Sequence, residues 1–140
     1  MTTITEPQVR EMIAVVNSRN VDKVLDQYAE DATFQGFAEE QPIHGKTAIR
    51  TALVNEFAAF PDWNIVPKTI AVSGSEVLIV NSVAGTHDGP YTSATGKSYP
   101  ATHRKFSQEQ MTRVVLNEKG KVQSLKAYGN PAEMLRQLGL

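Results

Sequence analysis

Phe57-Ala58-Ala59-Phe60-Pro61-Asp62-Trp63-Asn64-Ile65-Val66 is the stretch at which the chain changes its hydrophobic period. Before it, Ile49, Leu53, Phe57 and Phe60 fall on one stripe of a helix predicted from about Lys46 to Phe60. Pro61 ends that helix, because the residue before a proline is pushed out of the helical region. After it, β-branched residues gather between turn signals at Ser73-Gly74-Ser75, Ala94-Thr95-Gly96-Lys97 and Asn117-Glu118-Lys119-Gly120. Four strands are expected, near Asn64–Val72, Glu76–His87, Ser98–Leu116 and Lys121–Tyr128, the third long enough to need a bulge or sharp bend.

Working outward, Thr5 with Gln8 three residues on forms a capping-box pattern, and Val9, Met12, Ile13 and Val16 recur at helical spacing. Val21, Val24, Leu25 and Tyr28 predict a second short helix ending at Glu30-Asp31, before a strand at Ala32–Phe37 and a loop holding Glu39, Glu40, Pro42 and Gly45. Asn130 stands at the N-cap of a last helix, Pro131–Leu138. Helices first and antiparallel strands afterwards mean α+β, with a curved sheet wrapped around the helical layer in one domain, 1–140. Such a wrap leaves a concavity open at one end, where a small molecule is accommodated.

Composition narrows the function. In 140 residues, 14 Lys and Arg oppose 15 Asp and Glu, a net charge of −1 that leaves no surplus to attract nucleic acid or anionic lipid. With no cysteine, disulfides, thiolate metal sites and cysteine nucleophiles are excluded. The N-terminal residues carry no basic flank or apolar core of a leader, and no apolar run reaches about 18 residues, so a cytoplasmic, non-membrane protein is expected. His44, His87 and His103 lack the paired spacing of metal ligands, and no metal is expected. Glycine-rich phosphate loops and a Gly-x-Ser-x-Gly elbow are likewise missing.

Phe60-Pro61-Asp62-Trp63, Gly85-Thr86-His87, Thr95-Gly96-Lys97, Gly120-Lys121-Val122 and Met134-Leu135-Arg136-Gln137-Leu138-Gly139 together resemble the pattern of SnoaL-like polyketide cyclases. That family belongs to the nuclear-transport-factor-two-like, or cystatin-like, α+β cone superfamily. The resemblance implies a cone with a deep apolar pocket, no obligatory cofactor, a polyketide-like or polycyclic small-molecule substrate, and a homodimer formed across the outer face of the sheet. It also implies an aspartate acid/base on or just beyond the last strand, where this chain has Ala127 or Asn130. Tyr28-Ala29-Glu30-Asp31-Ala32-Thr33 and Leu125-Lys126-Ala127 resemble ketosteroid isomerase more distantly. Its base falls on Gly36, its tyrosine on Met12 and its protonated aspartate near Gln110 or Thr112, so steroid isomerase chemistry is disfavoured.

Other side chains must then carry the chemistry. Strict alternation puts Thr102, Arg104, Phe106, Gln108, Gln110 and Thr112 on one face of the long strand, and the resemblance turns that face inward. His103, on a strand that borders the mouth, is the expected general base, although alternation points it outward. Gln110, Thr112 and Tyr128 are expected to hold a developing oxyanion. Gln35, Phe57, Trp63 and Asn130 are expected to contact substrate, with Phe34 and Phe57 also read as core and Asn130 also as a helix cap. Glu109 is a second candidate base; Glu39 and Glu40 lie on the loop over the mouth, and Asp62 reads as a turn residue. The expected function is therefore a cofactor-independent cyclase or isomerase acting by acid–base catalysis on a carbonyl compound. A non-catalytic binding module and an epoxide hydrolase or hydratase are the alternatives.

Overall fold

A computed structural model describes residues 3–93 and 96–140. Its elements are α1 (Glu6–Asn17), α2 (Val21–Leu25), β1 (Tyr28–Gln35), β2 (Ile43–His44), α3 (Lys46–Ala59), β3 (Asn64–Ser73), β4 (Glu76–Thr86), β5 (Tyr91–Thr92), β6 (Ser98–Tyr99), β7 (Lys105–Leu116), β8 (Val122–Tyr128) and α4 (Pro131–Leu138). Six strands form one sheet in the order β2-β1-β8-β7-β4-β3, parallel between β1 and β8 and antiparallel elsewhere. A separate hairpin pairs β5 with β6. Register shifts in the β1–β8, β3–β4 and β7–β8 ladders bend the sheet into the cone expected from the sequence.

The capping box forms as predicted: the Gln8 amide N–H donates to the Thr5 hydroxyl and the Thr5 N–H to the Gln8 side chain. The second helix is shorter than its pattern suggests. It stops at Leu25, and the Val122 N–H donates to the Gln27 carbonyl, so Tyr28 opens β1 instead of closing a helix. Parallel pairing with β8 and burial of Tyr28 and Ala29 prevail there over the local apolar spacing. The long third strand divides into β6 and β7 with an irregular connection between them. The bend falls at His103, whose φ of 58° lies in the left-handed region. Ala94 and Thr95 of the predicted turn lie outside the described residues.

The core sits between the helices and the concave sheet face: Val9 and Ile13 of α1, Ile49, Leu53 and Phe57 of α3, Val77, Ile79 and Val83 of β4, and Phe106 and Val114 of β7. Val83 pairs opposite Gln108 and so faces inward, where it is 2% exposed. The apolar residues left outside include Val66, Leu78, Met111 and Tyr128.

Side-chain amides complete the backbone pairing where strands run short of neighbours. Asn17 donates from Nδ2 to the Ile65 carbonyl and accepts the Ile65 N–H, both at 2.8 Å. Gln137 does the same for Ser107, and Gln108 for Asn130. After β4 the chain crosses the end of α3 so closely that a Cβ on Gly89 would lie 2.0 Å from the Ala58 carbonyl oxygen, and the Asp88 and Gly89 N–H groups both donate to the Ala59 carbonyl. That contact delivers β5 to the open end of the cone. Among the described residues no helix is long and apolar enough to cross a membrane.

Candidate functional site

The inner end of the cone is filled by the chain's own rings. Phe37 folds back from the loop after β1 and stacks on Trp63 at 6.4 Å and on Phe106 at 6.0 Å between centroids, while Phe60 lies 5.5 Å from Trp63. The concavity is consequently shallower than the resemblance implies. A cavity of about 100 Å³ is open at the mouth. Its aromatic wall is Phe34, Phe37, Phe60, Trp63 and Tyr91; its polar groups come from Glu39 on the loop, Asn55 and Glu56 on α3, and Thr92 on β5; Met134 of α4 adds an apolar contact. A space of this size is smaller than the about 150 Å³ of a cavity that takes benzene, so it receives only a compact group and leaves the rest of a larger ligand in the mouth.

Two carboxylates are therefore set into an apolar wall. Burial, and then the charge of Glu39, pushes the Glu56 carboxyl up to about 7. Burial also raises Glu39 from its ordinary value. Because the charge of Glu39 is one cause of the Glu56 shift, the two carboxyls titrate as a coupled pair, with Glu56 the one brought to about 7. Tyr91 is pushed up to about 12 by burial and by the charges of Glu39, Glu56 and the nearby Tyr99, which keeps its phenol a neutral donor. Burial, and then the charge of Glu56, raises Tyr28 as well.

Of the residues singled out in the sequence, Trp63 lines this cavity, Phe34, read as core, lines it too and is only partly buried, and Glu39 does so from its loop. Gln35 does not line it but fixes the loop, its Nε2 donating to the Glu39 carbonyl at 3.0 Å. Phe57 belongs to the core. His103, read as the base, lies outside the concavity: the bend carries it to the surface, 73% exposed, with Nδ1 2.9 Å from the Asp88 carboxylate. Tyr128 pairs opposite Met111, which puts it on the outer sheet face, where the Lys126 ammonium sits 5.0 Å from its ring. Glu109 is also outside, 3.3 Å from Lys68.

Gln110 and Thr112 do face inward, as alternation requires, but other side chains occupy them. Gln110 donates to the Gln108 side chain, and Thr112 accepts from Asn81. Asn130 caps α4 by accepting the Glu133 N–H. The oxyanion group expected from the long strand is thus not assembled at the cavity. His87, fully buried, accepts the Thr102 N–H at Nδ1, which fixes the neutral tautomer with its proton on Nε2. Burial, then the charge of His103, lowers its pKa, so it remains a neutral clasp for the bend. Asp62 is the turn residue expected, accepting from the Thr86 N–H and hydroxyl.

Glu56, Tyr91, Asn55 and Phe37 escaped the sequence reading. A signal existed for Glu56: it lies three residues after Leu53 and seven after Ile49, so it falls on the buried stripe of α3, an unusual position for a carboxylate.

A family model of SnoaL-like polyketide cyclases matches residues 8–138, and the chain belongs to that family. Solved structures share its fold. IdmH of Streptomyces antibioticus, a candidate polyketide cyclase, is 18% identical, with 97% of this chain and 100% of that one covered and a TM-score of 0.75. The epoxide hydrolase/cyclase-like enzyme SalBIII, described in pyran ring formation in the polyether salinomycin, is 17% identical over 91% of this chain and 92% of that one, with a TM-score of 0.74. A protein of Catenulispora acidiphila with a ketosteroid isomerase-like fold, solved with trimethylamine, is 18% identical over 98% and 95%, with a TM-score of 0.78. No curated protein matches the sequence.

Proposed function

We propose that this protein is a cofactor-independent enzyme of secondary metabolism that closes a ring in a carbonyl-bearing, polyketide-like substrate by acid–base catalysis. The observation that carries this reading is the pairing of Glu39 and Glu56 in one aromatic cavity, with burial raising both and Glu56 brought to about 7. Ionised Glu39 takes the proton α to a carbonyl, the enolate carbon attacks a second carbonyl, and the resulting alkoxide takes the proton of Glu56. Proton exchange between the two carboxyls resets the site. The neutral Tyr91 phenol supplies a donor to the enolate oxygen.

Opening of an epoxide is the second reading. The same pair serves it, Glu39 activating a hydroxyl and Glu56 protonating the epoxide oxygen, and the similarity in fold to SalBIII supports keeping it. We also propose a homodimer packed through the outer sheet face, where Val66, Leu78, Met111 and Tyr128 are exposed.

The test is product analysis on a panel of poly-β-ketones, polycyclic ketones and hydroxy-epoxides, with wild type, Glu39→Gln and Glu56→Gln. A positioned acid or base contributes about 10²- to 10⁴-fold, so each variant should lose at least about a hundredfold in kcat. Binding without conversion by wild type would favour the non-catalytic module instead.

A further inference from the structure

We infer that the cavity between α3 and the Phe37–Glu39 loop receives an organic ammonium group, protonated or quaternary, its methyl or methylene hydrogens against the rings and its charge facing Glu39 and Glu56. This deepens the reading above by naming a ligand class for the same site, and it rests on that reading only in taking this cavity as the place where ligand binds.

The first ground is an imbalance of charge. Glu6, Asp22, Glu30, Glu76, Asp88, Glu109 and Glu133 each have a cationic or histidine partner within 4.0 Å. Among the described residues Glu39 and Glu56 have none; Glu11, Asp26, Asp31 and Glu40 also have none but are exposed, whereas Glu39 and Glu56 are half-buried at a cavity that no Lys, Arg or His lines. Two acidic groups in an apolar wall are costly when both ionise, and a cation between them offsets both desolvation and mutual repulsion.

The second ground is the wall. Trp63, Tyr91 and the phenylalanines turn a set of aromatic rings toward the same space as the carboxylates. Rings attract a cation through their negative faces, and a quaternary ammonium, poorly hydrated and apolar at its rim, suits such walls better than a metal ion or a bare lysine ammonium. The third ground is size: about 100 Å³ leaves room for a compact head group, where a polycycle would have to remain largely outside. A neutral carbonyl compound fills the space without relieving the charges; an amine-bearing one does both.

The inference fixes a pH dependence. Glu56 is faced by Glu39 from the loop, Tyr91 from β5 and Tyr28 from β1, with no basic group among them. Affinity for the cation therefore rises as pH climbs through neutrality and Glu56 ionises, and below that range binding expels a proton.

Calorimetric titration of the full chain with choline and with its neutral carbon isostere 3,3-dimethylbutan-1-ol, at pH 6 and pH 8, tests this directly. Choline should bind about tenfold or more tightly than the alcohol at pH 8, and more tightly at pH 8 than at pH 6. Glu39→Gln and Glu56→Gln should each weaken choline about tenfold and leave the alcohol unchanged, which also reports that the cavity is intact. Equal binding of the two probes, no binding of either, or full choline affinity in both Gln variants overturns the inference. Titration involves no turnover, so choline binding without ketone or epoxide conversion removes only the acid–base reading. Loss of turnover in the Gln variants without choline binding removes only this one.

Discussion

Phe37 lies flat against Phe106, ring planes 4° apart, although one belongs to a loop and the other to the inner face of β7. The contact seals the inner cone and sets the cavity's depth. Phe37→Ala should open the space toward Trp63 and improve binding of bulkier ring ligands. Phe37 is only partly buried, so the cost should be about 2 kcal/mol, below the roughly 3–5 kcal/mol of a fully buried phenylalanine. Urea unfolding gives the cost, and a ligand series of increasing width gives the opening; an unchanged size limit would show that Phe37 does not set the depth.

The raised carboxyl of Glu56 makes stability depend on pH. Its folded value of about 7 exceeds the ordinary 4.5, so the stability that comes from keeping it neutral is complete below about 4.5 and is lost as pH rises through about 7. The full loss is at most about 3 kcal/mol, and partial access of the side chain to solvent reduces it. Glu56→Gln should flatten this slope and be the more stable protein at pH 8. Denaturation curves across pH 4 to 8 that run parallel for both proteins would count against the shift.

Removing His103 should matter little. Its pair with Asp88 is exposed, and such pairs contribute about 0–1 kcal/mol. His103→Ala should retain turnover within about twofold, which a steady-state assay measures; a large fall would return His103 to the mechanism. His103→Gly should match or exceed the wild type in stability, because glycine adopts the φ of 58° without the side-chain penalty.

The outer sheet face gives a fourth test. Leu78 and Met111 are 39% and 37% exposed there. Leu78→Glu with Met111→Glu should convert the proposed dimer into monomers in sedimentation velocity while leaving the fold intact. A wild-type protein that sediments as a monomer would end the dimer proposal.

Much of the fold was legible because local chemistry and tertiary packing agree. Thr5 and Gln8 cap each other, Pro61 ends α3, and alternation on β7 does bury Phe106, Gln110 and Val114 while exposing Lys105, Met111 and Arg113. Where tertiary pairing opposed local pattern the reading failed, as at Tyr28, which the sheet claims from the helix. The site was harder to see for a related reason. Polar residues on inward strand positions, Gln110 and Thr112, satisfy one another's neighbours and leave little for a ligand. The acidic pair comes from a loop and a helix whose approach depends on the backbone path of residues 36–42, which no periodicity encodes. His103 misled because its strand bends at that residue.

The grip of Asn17 on Ile65 reaches beyond α1. β3 is one border of the six-stranded sheet, and a bare border invites another chain to add itself as the next strand. At Ile65 both main-chain groups are already taken, Pro67 offers no N–H, the ladder slips a residue between Pro67 and Thr69, and Lys68 places a charge beside the slip. These features leave that border few free main-chain groups with which another chain could pair, so an amide far from the cavity works against edge-to-edge addition.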